Sequence, residues 1–150
     1  MTINRHQQLI RRCIDLALEA AAMGDEPFAA LLEVDGEIVI SAQNRVLRDR
    51  DRTRHAELLV VSQAMQTLDA PTLRRATLYA STEPCVMCAA AIYWSRIPRL
   101  VYGCSQQAFA RKTGCGFSVP CQQVLAAGSR IVDVIGPVLE EEALGLHHNR

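Results

Sequence analysis

The chain has 150 residues, a length that suits one compact domain with its own core, so we expect residues 1–150 to form a single domain. Lysine plus arginine and aspartate plus glutamate number sixteen each, whereas a protein whose main partner is nucleic acid usually carries a basic excess. No apolar run approaches the roughly 18 residues of a membrane helix, and residues 1–12 lack the apolar core of a signal peptide. The composition therefore predicts a soluble, cytoplasmic protein without a membrane partner, and it argues modestly against an RNA substrate.

The first half of the chain predicts a helix, a hairpin and a second helix. Apolar residues recur at helical spacing in the two helical segments, and Asp35-Gly36 between two apolar runs is a strong signal for a two-residue hairpin turn. In chain order we predict a helix over residues 4–23, strands over 27–34 and 38–42, a polar connection over 45–53 and a helix over 55–68.

The second half alternates strands and helices. We predict strands over residues 76–81, 100–103 and 130–135, a helix that ends near Ser95 and a last short helix over 137–146. Because this order favours parallel pairing behind an antiparallel hairpin, the chain predicts an α/β fold with a mixed five-stranded sheet and helices on both faces. Ligands of such sheets bind at the carboxyl ends of strands, so we expect the segments after the second and third strands to meet in one crevice.

Cys85 and Cys88 open the helix that follows the third predicted strand. Residues three apart are neighbours on a helical surface, so both thiols face the same side. Pro84 suits the first helical position, where its missing N–H costs nothing and its φ is already helical. The amides of the first turn and the helix dipole favour thiolates, which are the forms that bind metal ions. The pair therefore predicts two ligands of a metal site.

One more nitrogen ligand would complete a Cys₂His site. Only His55 is internal, at the start of the predicted helix over 55–68. The other histidines lie near the chain ends, where we expect frayed backbone: His6, His147 and His148. Two cysteines, one histidine and an open fourth position are typical of catalytic zinc. The alternative is a structural zinc with a fourth ligand from Cys104, Cys115 or Cys121.

Glu57 lies two residues after His55, a spacing that separates side chains along the body of a helix. At the tip of a helix both side chains can lean past the end toward one point. A carboxylate beside a metal-activated water can take its proton and leave a nucleophile. The same position also suits a solvated carboxylate stabilised by the helix dipole. We predict the first role, with Glu57 as the catalytic acid and base.

The HxE motif of His55 and Glu57, followed by the PCxxC motif of residues 84–88, resembles the signature of the zinc-dependent cytidine/deoxycytidylate deaminase superfamily. Residues 76–89 and 95–97 resemble its guanine deaminase and tRNA adenosine deaminase branches. The resemblance implies a cytidine deaminase-like three-layer α/β/α fold and a Zn²⁺ cofactor. It implies an aminohydrolase that replaces a ring amino group with a carbonyl oxygen and releases ammonia. It also implies a homodimer or larger homo-oligomer in which a neighbouring subunit borders each pocket.

Four residues gain a substrate-binding role from the resemblance. Asn44 aligns with an asparagine that hydrogen-bonds the base in such family members, although on its own it also suits a turn. Phe28 aligns with a pocket-lining position, and its other interpretation is a core residue. Trp94 matches the end of the cysteine helix in guanine-deaminase-like members, where an aromatic packs against the ring; otherwise it suits an interface or the core. Ala56, between the metal ligand and the acid, completes the set.

The resemblance implies a small-molecule substrate: a free nucleobase or nucleoside, such as the aminopurine guanine or a related aminated heterocycle. The alternative is adenosine in tRNA, which Val86-Met87 and a run of arginines favour. Neither branch matches fully, since Ser118-Val119 stand where guanine-deaminase-like members carry acidic residues, and the long basic final helix of tRNA-acting members is absent. A hypothesis of another class is a non-catalytic structural zinc-binding module.

The run of arginines lies between residues 45 and 54 and is interrupted by Asp49 and Asp51. It consists of Arg45, Arg48, Arg50, Arg52 and Arg54. Two interpretations stay open. One is a solvated loop whose charges pair with each other, and the other is a rim beside the metal helix that contacts the phosphate of a nucleotide or RNA.

Six cysteines do not require a disulfide scaffold in a chain of this length. Cys13 in an apolar helix and Cys104 at the end of a strand are predicted to be small buried apolar residues. Cys115 and Cys121 are predicted to be free thiols in a loop, with a redox or metal role as the alternative.

Overall fold

The structure is a computed structural model and describes residues 3–148. Its strands are β1 (Ala29–Val34), β2 (Glu37–Gln43), β3 (Ala76–Thr82), β4 (Arg99–Cys104) and β5 (Asp133–Ile135). Its helices are α1 (Ile3–Ala22), α2 (Val46–Asp49), α3 (Ala56–Thr67), α4 (Ala70–Leu73), α5 (Val86–Ser95), α6 (Gln106–Thr113), α7 (Cys121–Ala126) and α8 (Glu140–Leu144). Each predicted strand and helix is present, with ends within three residues of the predicted ones.

The strands form one sheet in the order β2-β1-β3-β4-β5, which confirms the predicted mixed five-stranded sheet. β1 is antiparallel to both β2 and β3, whereas β4 is parallel to β3 and to β5. Because β2 and β3 both run opposite to β1, they run in the same direction. Their carboxyl ends, at Gln43 and Thr82, therefore lie on the same edge of the sheet.

Helices cover both faces of the sheet, as the three-layer prediction requires. The central strands β1 and β3 are buried along their whole length, because successive side chains alternate between two covered faces. Leu31, Tyr79 and Val101 pack on the face covered by α1. Leu32 and Leu78 pack on the opposite face, against α3 and α5. No helix within residues 3–148 is long and apolar enough to cross a membrane.

Two helices, α6 and α7, occupy the region between β4 and β5, where the sequence predicts only a loop. The Ser105 hydroxyl caps α6 by accepting the Ala108 N–H at 3.0 Å, and Gly114 ends it with a left-handed φ of 76°. Both cap residues are visible in the sequence. The segment between them has too few apolar residues at helical spacing to predict a helix from periodicity.

The cysteines follow the predictions in part. Cys13 and Cys104 are fully buried as predicted, and burial raises the pKa of Cys104 to about 11. The prediction of a loop position is wrong for Cys121, which is the first residue of α7 and has a buried side chain. Cys115 does lie in the loop between α6 and α7. All six cysteines are free thiols.

Candidate metal centre

The two cysteines lie just after the carboxyl end of β3. Cys85 is the N-cap of α5, with an extended backbone (φ −67°, ψ 175°), and Cys88 in the first turn is fully buried. Pro84 precedes the cap, so its predicted place at the first helical position is wrong. The reason is that Cys85 is still extended, and the helix begins one residue after it.

His55 reaches the same point from α3, which packs beside α5. His55 is the N-cap of α3 (φ −69°, ψ 146°), one position before the predicted first turn. Its Nδ1 atom lies 3.6 Å from Cys85 Sγ and 3.5 Å from Cys88 Sγ. The three ligand atoms all lie within 4.8 Å of one another.

These separations fit a zinc ion. Zn–S bonds of about 2.3 Å and a Zn–N bond of about 2.0 Å at tetrahedral angles place the nitrogen about 3.5 Å from each sulfur. Among the described residues the cluster contains His55, Cys85 and Cys88, and no fourth His, Cys, Asp or Glu joins it. The structural-zinc alternative thus lacks its fourth protein ligand in this part of the chain, and the arrangement matches a catalytic site with one open position.

The charges of the two thiols also favour a divalent cation. Hydrogen bonds from Cys88 and His55 lower the pKa of Cys85 to about 4. The Cys85 thiolate, burial and the nearby Glu57 carboxylate raise the pKa of Cys88 far above its usual value. A second thiolate therefore forms here only when a positive charge is present to offset the first, which is what Zn²⁺ supplies.

Glu57 lies in the first turn of α3 and is 7% exposed. Burial is the main reason that its pKa rises to about 7, against the opposing effect of His55. A carboxyl group with a pKa near neutrality can both accept and return a proton, as general acid–base catalysis requires. The interpretation of Glu57 as a solvated helix-start carboxylate is wrong, because its side chain is inside the protein.

A cavity of about 850 Å³ opens above the metal ligands. Glu57, Asn44 and Phe28 line it together with His55 and Cys85. Its remaining walls come from the end of β3, the start of α5, α6 and the loop after α6, namely Thr82, Glu83, Val86, Met87, Gln106, Phe109, Cys115, Gly116 and Phe117, with Glu26 and Arg52 at the side. The segments after β2 and β3 thus meet in one crevice, as predicted.

Asn44 directs a donor into this cavity. Its side-chain oxygen accepts the Val46 N–H at 3.0 Å, and its own N–H is bonded to the Phe28 carbonyl at 2.9 Å. Because the Val46 N–H needs an acceptor, the amide orientation is set, and the NH₂ group of Asn44 is left to donate. The turn interpretation and the binding interpretation of Asn44 are therefore compatible, because the side-chain oxygen serves the turn and the NH₂ group is left for a substrate.

The other predicted substrate-binding residues are placed differently from one another. Phe28 lines the cavity and meets the Phe109 ring edge-on at a centroid distance of 5.8 Å, so it belongs to the wall. Ala56, the first residue of α3, is fully buried and does not line the cavity. Trp94 is 75% exposed at the far end of α5, and the structure does not bring it to the cavity of its own chain.

Glu83 is a residue whose role the sequence did not reveal. Its buried carboxylate accepts the Gln106 N–H at 2.8 Å and the Cys121 N–H at 2.6 Å. Gln106 in turn donates from its side chain to the Glu83 carbonyl at 2.6 Å. One carboxylate two residues before Cys85 thus holds the first residues of α6 and α7 against the metal loop.

Two histidines near the chain ends are ordered, so the prediction of frayed backbone is wrong for them. The His147 ring lies 2.8 Å from Thr82 Oγ1 through Nε2 and packs against Phe28 and Phe109, two residues of the cavity wall. The Nδ1 atom of His6, a residue of α1, lies 2.9 Å from the Tyr79 hydroxyl. Each ring is within hydrogen-bonding distance of a residue more than sixty positions away, and local sequence patterns carry no signal for such contacts.

Two arginines of the run between β2 and α3 pair with carboxylates of the same run, as the self-paired interpretation predicts, and a third pairs with a carboxylate outside it. Arg45 pairs with Asp49 at 3.0 Å, and Arg54 lies 3.5 Å from Asp51. Arg48 pairs at 2.8 Å with the buried Asp25. The Arg48 guanidinium and neighbouring backbone N–H groups lower the pKa of the Asp25 carboxyl. Arg50 and Arg52 remain for the interpretation as a phosphate-contacting rim, and of these two Arg52 lines the cavity.

Comparisons with known proteins agree with this site. Residues 3–104 match the family described as the cytidine and deoxycytidylate deaminase zinc-binding region. A probable cytosine deaminase of Schizosaccharomyces pombe is 35% identical over 144 residues, with 92% of this chain and 87% of that protein covered. A tRNA-specific adenosine deaminase of Bacillus subtilis is 34% identical over 137 residues, with 91% of this chain and 83% of that protein covered. The solved structure of a guanine deaminase from Nitrosomonas europaea superposes with a TM-score of 0.81 at 26% identity, covering 93% of this chain and 81% of that one. The matched region contains all three metal ligands and Glu57, and the chain accordingly belongs to the cytidine and deoxycytidylate deaminase family of zinc-dependent hydrolytic deaminases.

Proposed function

We propose that this deaminase acts on a free nucleobase or nucleoside, in particular an aminopurine such as guanine or a related aminated heterocycle. The observation that carries the proposal is the joint placement of Glu57, the Cys₂His cluster and the Asn44 amide in one cavity. A planar ring against Phe28 would receive a hydrogen bond from Asn44 and present its amino-bearing carbon to the metal ligands. The relatives include a probable cytosine deaminase and a guanine deaminase, which supports a base-sized ring.

The roles of the residues follow from their positions. His55, Cys85 and Cys88 would hold zinc, whose Lewis acidity supplies a water that is nucleophilic near neutral pH. Glu57 takes a proton from the attacking water and delivers it to the ring nitrogen as the C–O bond forms. It then takes the remaining hydroxyl proton and passes it to the amino group, so that the C–N bond breaks, the carbonyl forms and ammonia leaves. Asn44 orients the ring, and Phe28 with Phe109 excludes solvent from one side of it.

Ammonia release by the zinc-loaded protein tests this proposal. The substrates are guanine, guanosine, adenine, adenosine, cytosine, cytidine, aminotriazines and an anticodon stem-loop RNA. Turnover of a base or nucleoside supports it, and the preferred ring identifies the substrate. Turnover of the RNA alone would overturn it.

The second candidate function is deamination of adenosine in tRNA. Two features favour it, namely the arginine run and the likeness to a tRNA-specific adenosine deaminase over 91% of this chain. The balance of sixteen basic and sixteen acidic residues counts against it. A salt titration of tRNA binding separates the two functions, because phosphate contacts weaken steeply as salt rises.

Replacement of Asn44 tests the orientation of the base. Asn44→Asp keeps an oxygen for the Val46 N–H but removes the NH₂ donor, so we expect the KM of the best substrate to rise about 10-fold while thermal stability changes little. Asn44→Ala removes both contacts and is expected to raise KM and lower Tm. Steady-state kinetics and thermal denaturation measure these effects. A wild-type KM in Asn44→Asp would contradict the donor role.

We infer a homodimer or larger homo-oligomer with Trp94 in the interface. The Trp94 side chain is 75% exposed. Ile131 is 85% exposed, and it follows Arg130, whose backbone N–H donates to the hydroxyl of Tyr93, the residue before Trp94. We expect light scattering to give at least twice the mass of one 16.6 kDa chain. Trp94→Glu should dissociate the assembly, whereas Met23→Glu, a matched change at another exposed apolar residue, should not. A monomeric wild-type protein would contradict the inference.

A further inference from the structure

One polar atom of the cavity wall has no part in the mechanism above. Gln106, the first residue of α6, lines the cavity and is 6% exposed. Its side-chain oxygen, Oε1, is buried and makes no hydrogen bond within the described part of the chain. A buried acceptor without a donor costs free energy, and native proteins contain few of them, so this atom needs a specific explanation.

The orientation of the Gln106 amide is set by Glu83. The Gln106 NH₂ group donates to the Glu83 carbonyl at 2.6 Å, and because a carbonyl only accepts, the nitrogen must face it. The Gln106 backbone N–H donates to the Glu83 carboxylate at 2.8 Å, so the residue is held at its backbone as well as at its side chain. Gln106 Oε1 therefore points away from Glu83 and stays free to accept.

The free oxygen lies beside Gly116, in the loop after α6. A Cβ atom built on Gly116 would stand 3.5 Å from Gln106 Oε1 and 3.0 Å from the Phe109 ring. Gly116, Phe109 and the neighbouring Phe117 all line the cavity. The surroundings of the oxygen are thus largely apolar, and a hydrogen bond to it is electrostatically stronger there than in water.

Asn44 and Gln106 offer complementary groups to a ring in the cavity, because Asn44 is left with a donor and Gln106 with an acceptor. The two classes of proposed substrate differ in their use of that acceptor. Guanine, adenine and cytosine share a hydrogen on the ring nitrogen that carries the sugar in a nucleoside. The nucleoside has a C–N bond at this nitrogen and therefore no donor.

We propose that Gln106 Oε1 accepts a hydrogen bond from this ring N–H, so that the enzyme prefers a free base over the corresponding nucleoside. A site built to accept from a substrate N–H rejects the analogue that lacks it, because the buried oxygen is then left unpaired. Gln106 thus sets specificity and takes no part in the proton transfers of Glu57. The inference rests on the proposed deamination of a base or nucleoside and decides between the two.

The test compares each base with the same base methylated at this nitrogen, namely guanine with 9-methylguanine, adenine with 9-methyladenine and cytosine with 1-methylcytosine. The proteins are wild type, Gln106→Met and the matched variant Gln122→Met, since Gln122 is exposed and does not line the cavity. The bulk of the methyl group acts on all three proteins alike, so a difference between their ratios of KM reports the hydrogen bond. We expect methylation to raise KM about 10-fold more in wild type and Gln122→Met than in Gln106→Met.

A second variant separates the acceptor from the contact with Glu83, because Gln106→Met also removes the donor to the Glu83 carbonyl. Gln106→Glu keeps an oxygen to accept from the ring but lacks the amide N–H groups. We expect it to retain the preference for the unmethylated base. Equal loss of the preference in Gln106→Glu and Gln106→Met would assign the effect to the Glu83 contact and overturn the role of Oε1.

Binding titrations with the same pairs of bases keep the test independent of turnover. Ammonia release from both members of a pair, with equal KM in wild type, would support the proposed function and overturn the role of Gln106. A preference of the same size in wild type and Gln106→Met would overturn that role too. Tighter binding of the unmethylated base without ammonia release from any base or nucleoside would contradict the proposed function and leave the role of Gln106 supported.

Discussion

Replacement of Glu57 with glutamine is expected to lower kcat by about 10²- to 10⁴-fold, the usual contribution of a general acid–base group. The change keeps the shape of a side chain that is 7% exposed, so the cavity and the fold should survive it. What it removes is a carboxyl group of the metal-site cavity that can hold a proton on an oxygen and return it, because an amide is not basic enough to do so. Steady-state ammonia release measures the loss.

Two measurements separate this result from a loss of the metal. Zinc content of Glu57→Gln should equal that of wild type, because Glu57 is not one of the three ligand residues. Glu26→Gln is the matched control, since Glu26 lines the same cavity without belonging to the metal cluster. It should leave kcat within a few-fold of wild type. Full activity in Glu57→Gln with zinc bound would end the assignment of Glu57 as the proton carrier.

The metal centre could be predicted from the sequence because each of its parts is a local pattern. The i, i+3 spacing of Cys85 and Cys88 and the position of His55 at a helix start are visible within a few residues. The parallel pairing in the second half of the chain then follows from strand–helix alternation. The strand order β2-β1-β3-β4-β5 comes from the structure. The helix starts that follow β2 and β3, two strands that run in the same direction on either side of β1, meet at one edge of the sheet. The distances of 3.5 and 3.6 Å from His55 Nδ1 to the two cysteine sulfurs confirm this.

The walls of the cavity could not be predicted in the same way. Glu83 holds the starts of α6 and α7 through backbone N–H groups 23 and 38 positions away, and His147 packs on Phe28 from the other end of the chain. Such contacts depend on tertiary placement, and a single sequence shows no period or cap that encodes them. Because α6 and the loop after it line the cavity and α6 is positioned by such a contact, substrate preference is harder to predict than chemistry.

Replacement of Cys88 with alanine is expected to have the second large effect, the loss of zinc and of activity together. Changes to residues that only hydrogen-bond a metal ligand cost about 10- to 100-fold in metal affinity, and removal of a ligand itself should cost more. Zinc content after dialysis and ammonia release measure the two losses. Cys104→Ala is the matched control, because Cys104 is equally buried but is not one of the metal ligands. It should keep its zinc. Retention of zinc in Cys88→Ala would show that Cys88 is not a ligand.

The pH dependence of zinc affinity gives a further readout of the same site. With a pKa of about 4, Cys85 is already a thiolate at neutral pH, whereas the raised pKa of Cys88 keeps its proton on sulfur until a cation displaces it. Zinc uptake at neutral pH therefore releases the Cys88 proton, and affinity should increase as pH rises. In Cys88→Ala that proton is absent, so the slope of affinity against pH should be smaller by about one proton. Equal slopes in the two proteins would mean that Cys88 binds no metal or is already ionised, and either result would contradict the charge argument for a divalent ion at this site.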